Sequence, residues 1–481
     1  MYIKNFDLFK CVCYTNKRTR EKTGDELLMK NSENKMETMP MNILAFKNSM
    51  PIVLSMLSIA LYGIIDTMFI SWVGKDALTA VALSIPVTAI ITAIALGAGI
   101  GVNSLLARTL GEKNEDKVRR ITQNGLTLAF FSWILVAFVC HLGLDKFLGI
   151  FTKDSNIIEQ AQQYLYIVGV LSIGTIYQTM VEKILEAHGK SRMSMLVQIS
   201  GTIINLILDP ILIFGYLGFP AMGIKGAAIS TVLGQCFGMI VGLIILRTNH
   251  LVRIRDIFIV RLEKNICREI YKVGLSAEIV EIGGACTSLV LNKVLTTFSE
   301  DAVAVWGVYY QLQKFITIIV YGFNYGMVPI LAYNYGAKNK HRIKDCMKVF
   351  ARIVMIFTFI GQLVFIIFAR QLIGLYTDSS EVMSLAIVAF RILALGFVFA
   401  GISLVVSSIF QAFGDGKSSL TVSFARQMGI TLPFVLIFAK LVGINGVWIA
   451  FTVSELLTVL IAIFLYRSNK SVWDSMYSST S

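Results

Sequence analysis

Charge is scarce in this chain. Of its 481 residues, 15% are Asp, Glu, Lys or Arg, where soluble domains run near about a quarter. Histidine is scarcer, at four residues, and forms no ligand motif. Seven cysteines are scattered from Cys11 to Cys346. The "CVC" at 11–13 is too tightly spaced for a usual metal pair, and no His/Cys cluster accompanies it, so the expectation is free thiols and no metal. No Walker A pattern is present, so this chain does not use ATP by itself. Gly97, Gly99 and Gly101 make a GxGxG with no preceding strand, which excludes a nucleotide loop and leaves close helix approach or a bend. No cluster of His or Asp has the spacing of a catalytic metal site, and the expectation is that the chain is not an enzyme. The N-terminus lacks a short basic stretch leading straight into a hydrophobic core, so it does not read as a signal peptide.

Apolar sequence is what the chain has. It is 56% hydrophobic with a mean hydropathy of +0.70. Twelve apolar segments are expected near 49–71, 79–107, 124–144, 162–181, 193–216, 222–246, 270–296, 303–330, 348–368, 383–410, 421–440 and 444–466. Runs of this length span a bilayer. They must be helices, because lipid offers backbone groups no partner, and the period-two alternation of a barrel is missing. The fold class expected is an all-α polytopic membrane protein of twelve transmembrane helices.

The formal charge of +13 invites a nucleic-acid reading, but placement argues against it. Most of the 43 Lys and Arg lie in the N-terminal tail, the even-numbered connections and the C-terminus, and few in the odd-numbered ones. The positive-inside rule then puts both termini in the cytoplasm of a cell-membrane protein, with anionic lipid as partner and no nucleic acid.

The chain also repeats itself. "GVNSLLARTLGEKN" at 101–114 matches "GMVPILAYNYGAKN" at 326–339, and the same shift carries "LGIFT" at 148–152 onto "IGLYT" at 373–377 and "EAHG" at 186–189 onto "QAFG" at 411–414. Two six-helix bundles follow, with the same orientation and a pseudo-two-fold axis along the membrane normal. The expected division is a polar tail over 1–48, a first lobe over 49–246, a basic cytoplasmic loop over 247–269, a second lobe over 270–466 and a tail over 467–481. Two similar bundles around a cleft are a transporter plan, and a self-contained pair of lobes points to a monomer.

Against this apolar background a few polar residues stand out. Asp66 sits in "YGIIDTMFI" at 62–70 with no cation beside it. A carboxylate facing lipid costs on the order of 3 kcal/mol, so it faces protein or water, as a proton or cation site or as a structural hydrogen bond between helices. Tyr62 lies four residues earlier on the same face. Pro51, read as near the start of that helix, removes a backbone bond and allows a kink. In "NLILDP" at 205–210, Asn205 and Asp209 share a face and Pro210 weakens the ladder. Asp209 is either part of a cation site or a cap near a helix end. The repeat places Leu291 and Phe434 opposite Asp66 and Asp209, so the scaffold is symmetric and the chemistry is not. In the second half, Glu278 and Glu281 lie three apart, as substrate or coupling groups or as structural ones. Tyr309, Tyr310 and Phe315 belong to an aromatic-rich helix that either lines a cleft for flat cations or sits at the membrane interface. Glu182 and Lys183 read as a local pair, Glu186 as interfacial, and Glu455 as a partner for Arg391 or Lys314.

"YGIIDTMFI", "ARTLGEKN", "NLILDPILIFG" and "GIKGAAIST" together resemble the multidrug and toxic compound extrusion family, over about residues 40–466. That resemblance implies a V of two six-helix lobes exporting cationic, amphipathic compounds by antiport against H⁺ or Na⁺, with no other cofactor. It implies a first-lobe cation site of Asp66, Asn205 and Asp209, with Tyr62, Thr231 and Pro51 in supporting roles. The other branch of the family carries an Asp in helix 10. Here that helix reads "LGFVFAGISLVVSSIFQAFG", with no carboxylate, which puts a second-lobe Na⁺ site in doubt. The competing reading is a flippase for lipid-linked oligosaccharide or polysaccharide. It needs deep cations for pyrophosphate, whereas the deep charges of the first half are acidic.

Overall fold

The computed structural model describes residues 35–151, 154–253, 256, 260–377 and 379–478. The expected polar tail lies outside the described residues up to position 34. After a short helical turn at Lys35–Thr38, the first lobe comprises α1 (Met41–Val73), α2 (Lys75–Gly111), α3 (Glu115–Phe151), α4, α5 (Ser191–Phe214) and α6 (Ile224–Thr248). α4 is broken into Ser155–Val170 and Ile173–Ala187, bent by 44°. The second lobe comprises α7 (Lys264–Thr296), α8 (Glu300–Gly336), α9 (Lys340–Ile367), α10 (Ser380–Phe413), α11 (Gly416–Val442) and α12 (Ile444–Ser478). Among the described residues, 11 helices are long and apolar enough to cross a bilayer, and the bent α4 makes up to 12. The outward surface carries exposed side chains such as Trp72, Ile85, Phe138, Leu142 and Phe464, as a multi-pass protein in lipid requires.

Several boundaries differ from those expected. α1 starts at Met41, so Pro51 lies inside the helix and not near its start. The added turns hold because Met41, Leu44, Ala45 and Asn48 are buried. α12 continues through the expected C-terminal tail, where Trp473 packs against Phe410, Phe413 and Tyr466. The inter-lobe linker is tied to the first lobe. Asp256 accepts from Arg119 and Gln123, and the backbone N–H groups of Glu263 and Arg261 donate to Asn124 and Thr127.

Among the described residues, the close contacts between the lobes lie on the side of the chain termini. There α2 and α1 pack on α7 and α8. Small residues let the backbones approach. A Cβ at Gly336 would fall 1.9 Å from the Arg108 carbonyl oxygen, one at Gly111 2.0 Å from that of Tyr333, and one at Gly274 2.3 Å from that of Gly97. Asn48 Nδ2 donates to the Gly326 carbonyl at 3.0 Å, and Arg108 reaches the Phe413 carbonyl and Glu269. Toward the opposite face, a Cβ at Gly63 in α1, Gly284 in α7 or Gly307 in α8 would meet open space. The two lobes therefore form a V, sealed on the side of the termini and open on the other.

Candidate functional site

Between α1, α4, α5 and α6 of the first lobe and α7 and α8 of the second lies a cavity of about 270 Å³. Its wall includes Tyr62 from α1, Gln178, Glu182, Lys183 and Glu186 from α4, Asn205 from α5 and Thr231 from α6, with Glu281 and Tyr325 from the second lobe. Helical spacing explains the composition. Tyr62 follows Ser55 and Ile59 along α1 at intervals of three and four, and Gln198, Gly201, Thr202 and Asn205 do the same on α5.

Asp66 and Asp209 lie behind this wall. They are 8% and 1% exposed and close enough to act on each other electrostatically, with Tyr62 and Tyr164 within the same field. Asp209 Oδ1 accepts from Asn205 Nδ2 at 3.4 Å and from Ser230 Oγ, and Asn205 Nδ2 also reaches Thr231 Oγ1 at 3.4 Å. Asp66 Oδ1 and Asp209 Oδ2 are buried with no hydrogen-bond partner. Two carboxylates in a poorly solvated pocket, each with an oxygen left over, are suited to hold a cation or share protons. Tyr62, Asn205 and Thr231 line the pocket, and Asp66 and Asp209 stand behind them, the five coming from α1, α5 and α6. Pro51 is buried farther along α1, where Ser55 Oγ donates to its carbonyl at 3.0 Å.

The second-lobe residues do not gather in the same way. Glu281 reaches the first-lobe cavity, whereas Glu278 packs against Gly97 at the lobe contact, where a Cβ on Gly97 would fall 2.2 Å from it. Tyr309 does not line the cleft. It is 3% exposed and surrounded by the rings of Trp306, Phe365, Phe390 and Phe397, because the rotation of α8 turns that position into the second lobe's core. Tyr310 and Phe315 are exposed, and Tyr310 lies within the electrostatic reach of Glu281. Glu455 pairs with Arg426 at 3.0 Å, not with Arg391 or Lys314. Arg426 stands in a π-helical turn, Ala425–Gly429, and also donates to Tyr321 Oη.

Sequence reasoning passed over Ser230 and Tyr164. Ser230 was findable, since it precedes Thr231 in "GIKGAAIST"; nothing in the chain marks Tyr164. Lys183 pairs with Glu186 at 2.8 Å and not with the adjacent Glu182, which instead accepts from Gln178 Nε2 at 3.0 Å. Neighbours in sequence point about 100° apart on a helix, while residues three apart share a face. The glutamate expected at the interface is in fact 3% exposed.

A family model described as MatE matches residues 51–211 and 281–437. The multidrug export protein MepA of Staphylococcus aureus is 27% identical over 429 residues, covering 88% of this chain and 94% of MepA. The same-named protein of Staphylococcus haemolyticus is 24% identical over 421 residues, covering 87% and 92%. Among solved structures, an outward-facing multidrug resistance MATE family transporter of the MOP superfamily superposes with a TM-score of 0.84 at 22% identity, over 92% of this chain and 99% of that one. A mutant of the Vibrio cholerae MATE transporter VcmN gives 0.83 at 21% identity, over 90% and 97%.

Proposed function

This chain belongs to the MatE family, and from that premise we propose that it is a secondary active multidrug exporter of amphipathic cations, coupled to inward H⁺ or Na⁺ through Asp66 and Asp209. One observation carries the assignment of the coupling residues: two buried carboxylates, each with an oxygen that no protein group satisfies.

The termini are assigned to the cytoplasm on the distribution of Lys and Arg, so the V opens outward. From the outer side, an ion is taken up at the two aspartates, which stand one helical turn beyond Tyr62 and Asn205 along α1 and α5. Neutralising Asp209 weakens its bond from Asn205, within α5, and its bond from Ser230, which links α5 to α6. Neutralising Asp66 removes the reason for α1 to hold its carboxylate in that field, and Pro51 gives α1 a point at which to bend. The lobes then exchange their contacts, and the ion leaves to the cytoplasm. Re-ionisation of the two aspartates resets the first lobe for the next cycle. Inward movement of each charge contributes about 2.3 kcal/mol per 100 mV. The protein is assigned as a monomer, each chain containing both lobes.

A flippase of pyrophosphate-linked glycans needs unpaired cations in the cavity. The cavity's one cationic side chain, Lys183, is already paired with Glu186.

The test is efflux of ethidium from energised vesicles under an imposed ΔpH or ΔNa⁺, comparing wild type with Asp66→Asn and Asp209→Asn. Transport by wild type under one gradient, lost in both variants, names the ion and supports the site. A variant that pumps as well as wild type removes its aspartate from the coupling role.

A further inference from the structure

The coupling aspartates do not face the cavity that a substrate would enter. The acidic side chains on its wall are Glu182, Glu186 and Glu281. Glu186 is already neutralised. Lys183 Nζ lies 2.8 Å from its Oε2 with both side chains buried, Ser194 Oγ donates to its Oε1 at 3.1 Å, and the same ammonium stands 4.8 Å over the ring of Tyr325. Glu182 receives only the neutral amide of Gln178, at 3.0 Å. Glu281, from the other lobe, makes no hydrogen bond or ion pair among the described residues. Lys314 is near enough to act on it electrostatically but does not pair with it.

A second, independent feature marks the same space as a place for a ligand. Asn205 Oδ1, on a wall residue that is 4% exposed, has no hydrogen-bond partner, while Gln178 Oε1, also without one, lies against Gly238 of α6. Buried acceptors without partners are costly, and here they join two carboxylates that lack a cation. The rest of the wall mixes hydroxyl and amide groups, among them Thr175, Thr179, Gln198 and Thr202, with an apolar and aromatic strip of Ile52, Met56, Ile59, Leu96 and the Tyr325 ring. Acceptors beside an apolar and aromatic surface match an organic monocation, a quaternary ammonium or phosphonium or a protonated amine with a hydrophobic body.

We infer that Glu182 and Glu281 form the cation subsite for substrate, one carboxylate from each lobe, separate from the ion-coupling pair behind Tyr62, Asn205 and Thr231. Placing one charge on each lobe makes affinity depend on how the lobes sit. When they rearrange, the carboxylates separate and the cation loses part of its hold. Coupling is then indirect: the ion moves the helices, and the helices dismantle the substrate site. Ion and drug need not compete for the same oxygen atoms. This inference rests on the exporter reading above and extends it.

The experiment is equilibrium binding of radiolabelled tetraphenylphosphonium to the full-length protein in lipid nanodiscs, beside gradient-driven efflux of the same ion from proteoliposomes. The probe carries a fixed charge and no titratable proton. Glu182→Gln and Glu281→Gln should each weaken binding about tenfold or more, with Glu182→Asp recovering part of it. Asp66→Asn should bind the probe within about threefold of wild type and yet lose gradient-driven efflux. Each variant is first shown to be monodisperse with a wild-type melting temperature; if Glu182→Gln fails that check, Glu281→Gln and Glu182→Asp carry the test. Unchanged binding in both glutamate variants, or loss of binding in Asp66→Asn alone, would overturn the separation and put the drug on the aspartates. If wild type binds no monocation and transports none, the exporter reading itself fails, and the subsite with it.

Discussion

Arg342, near the start of α9, donates through Nε and Nη2 to the backbone carbonyl of Met36, at 3.2 and 2.9 Å. Asn334 Nδ2 joins them on the same oxygen, and Arg342 Nη2 also reaches the Met39 carbonyl. The Met36 side chain meanwhile covers Gly189, at the turn between α4 and α5, and Glu37 bridges Tyr333 of the second lobe to Lys113 of the first. A few residues ahead of α1 therefore fasten both lobes across the sealed end of the V. Arg342→Gln removes the charge and most of these bonds. The expected result is faster labelling, by an impermeant thiol reagent, of a cysteine at Ser104, which is buried in the lobe contact beside Gln411, in a background without the native cysteines. Labelling at the wild-type rate would show that the segment rides on the seal and does not hold it.

The same reporter tests the glycine contacts by a different route. An alanine at Gly336 or Gly111 puts a methyl about 2 Å from a backbone oxygen of the facing lobe, and a backbone cannot move aside as the end of a side chain can. Overpacking of this kind costs about 1–3 kcal/mol. Because the strain exists only when the lobes touch, Gly336→Ala should shift the population toward the state open at the terminal side and raise the labelling rate more than Arg342→Gln does. Gly307→Ala on the same helix, whose Cβ would meet open space, should leave the rate unchanged. Equal effects at 336 and 307 would point to a general loss of helix packing.

What was legible beforehand follows from what a chain carries locally. Span length and internal repetition are properties of the sequence itself, so the helices and the doubled plan could be read from it. Asp66 could be singled out because its anomaly, a carboxylate in an apolar run, is also local. That Asp66 comes within electrostatic reach of Asp209, and Tyr164 within reach of both, depends on how α1, α4 and α5 pack, which no spacing encodes. Tyr309 illustrates the limit from the other side. An aromatic-rich helix was visible, but helix rotation decides which ring faces the cleft, and it turned Tyr309 into the core. The ion pairs were misread for a related reason. Glu182 and Lys183 are adjacent, yet the helix hands Lys183 to Glu186, and Arg426 comes to Glu455 across two helices.

The linker supplies a pH prediction. Burial alone would raise the Asp256 carboxyl, but hydrogen bonds from Arg119 and Gln123 and the guanidinium charge outweigh it and hold it below the ordinary carboxylate range. A carboxyl depressed in the folded state stabilises fully above its unfolded pKa, about 3.9, and loses that contribution as pH falls through the folded value. Asp256→Asn should therefore melt below wild type by a constant margin between about pH 5 and 8, and the margin should close only as the pH drops below about 4. A margin that closes between pH 6 and 7 would mean that the carboxyl titrates near neutrality and that Arg119 does not hold it charged.

Lys183 and Glu186 make the sharpest stability test, because both side chains are buried, at 7% and 4% exposure. Exposed pairs contribute about 0–1 kcal/mol, and removing one is rarely measurable. Here Lys183→Met leaves a buried Glu186 carboxylate with only Ser194 to satisfy it, and breaking a buried pair on one side costs about 3–5 kcal/mol. The single variant should melt well below wild type. The double variant Lys183→Met with Glu186→Leu removes both charges, and apolar replacements of similar volume for a buried pair are often neutral or stabilising. It should recover most of the loss in a thermal melt of the purified protein. Recovery would show that the charges are not kept for stability. A double variant as unstable as the single would mean that the Tyr325 ring and Ser194 hydroxyl had been built around the charges, so that the lobe contact at Tyr325 depends on the ammonium above it.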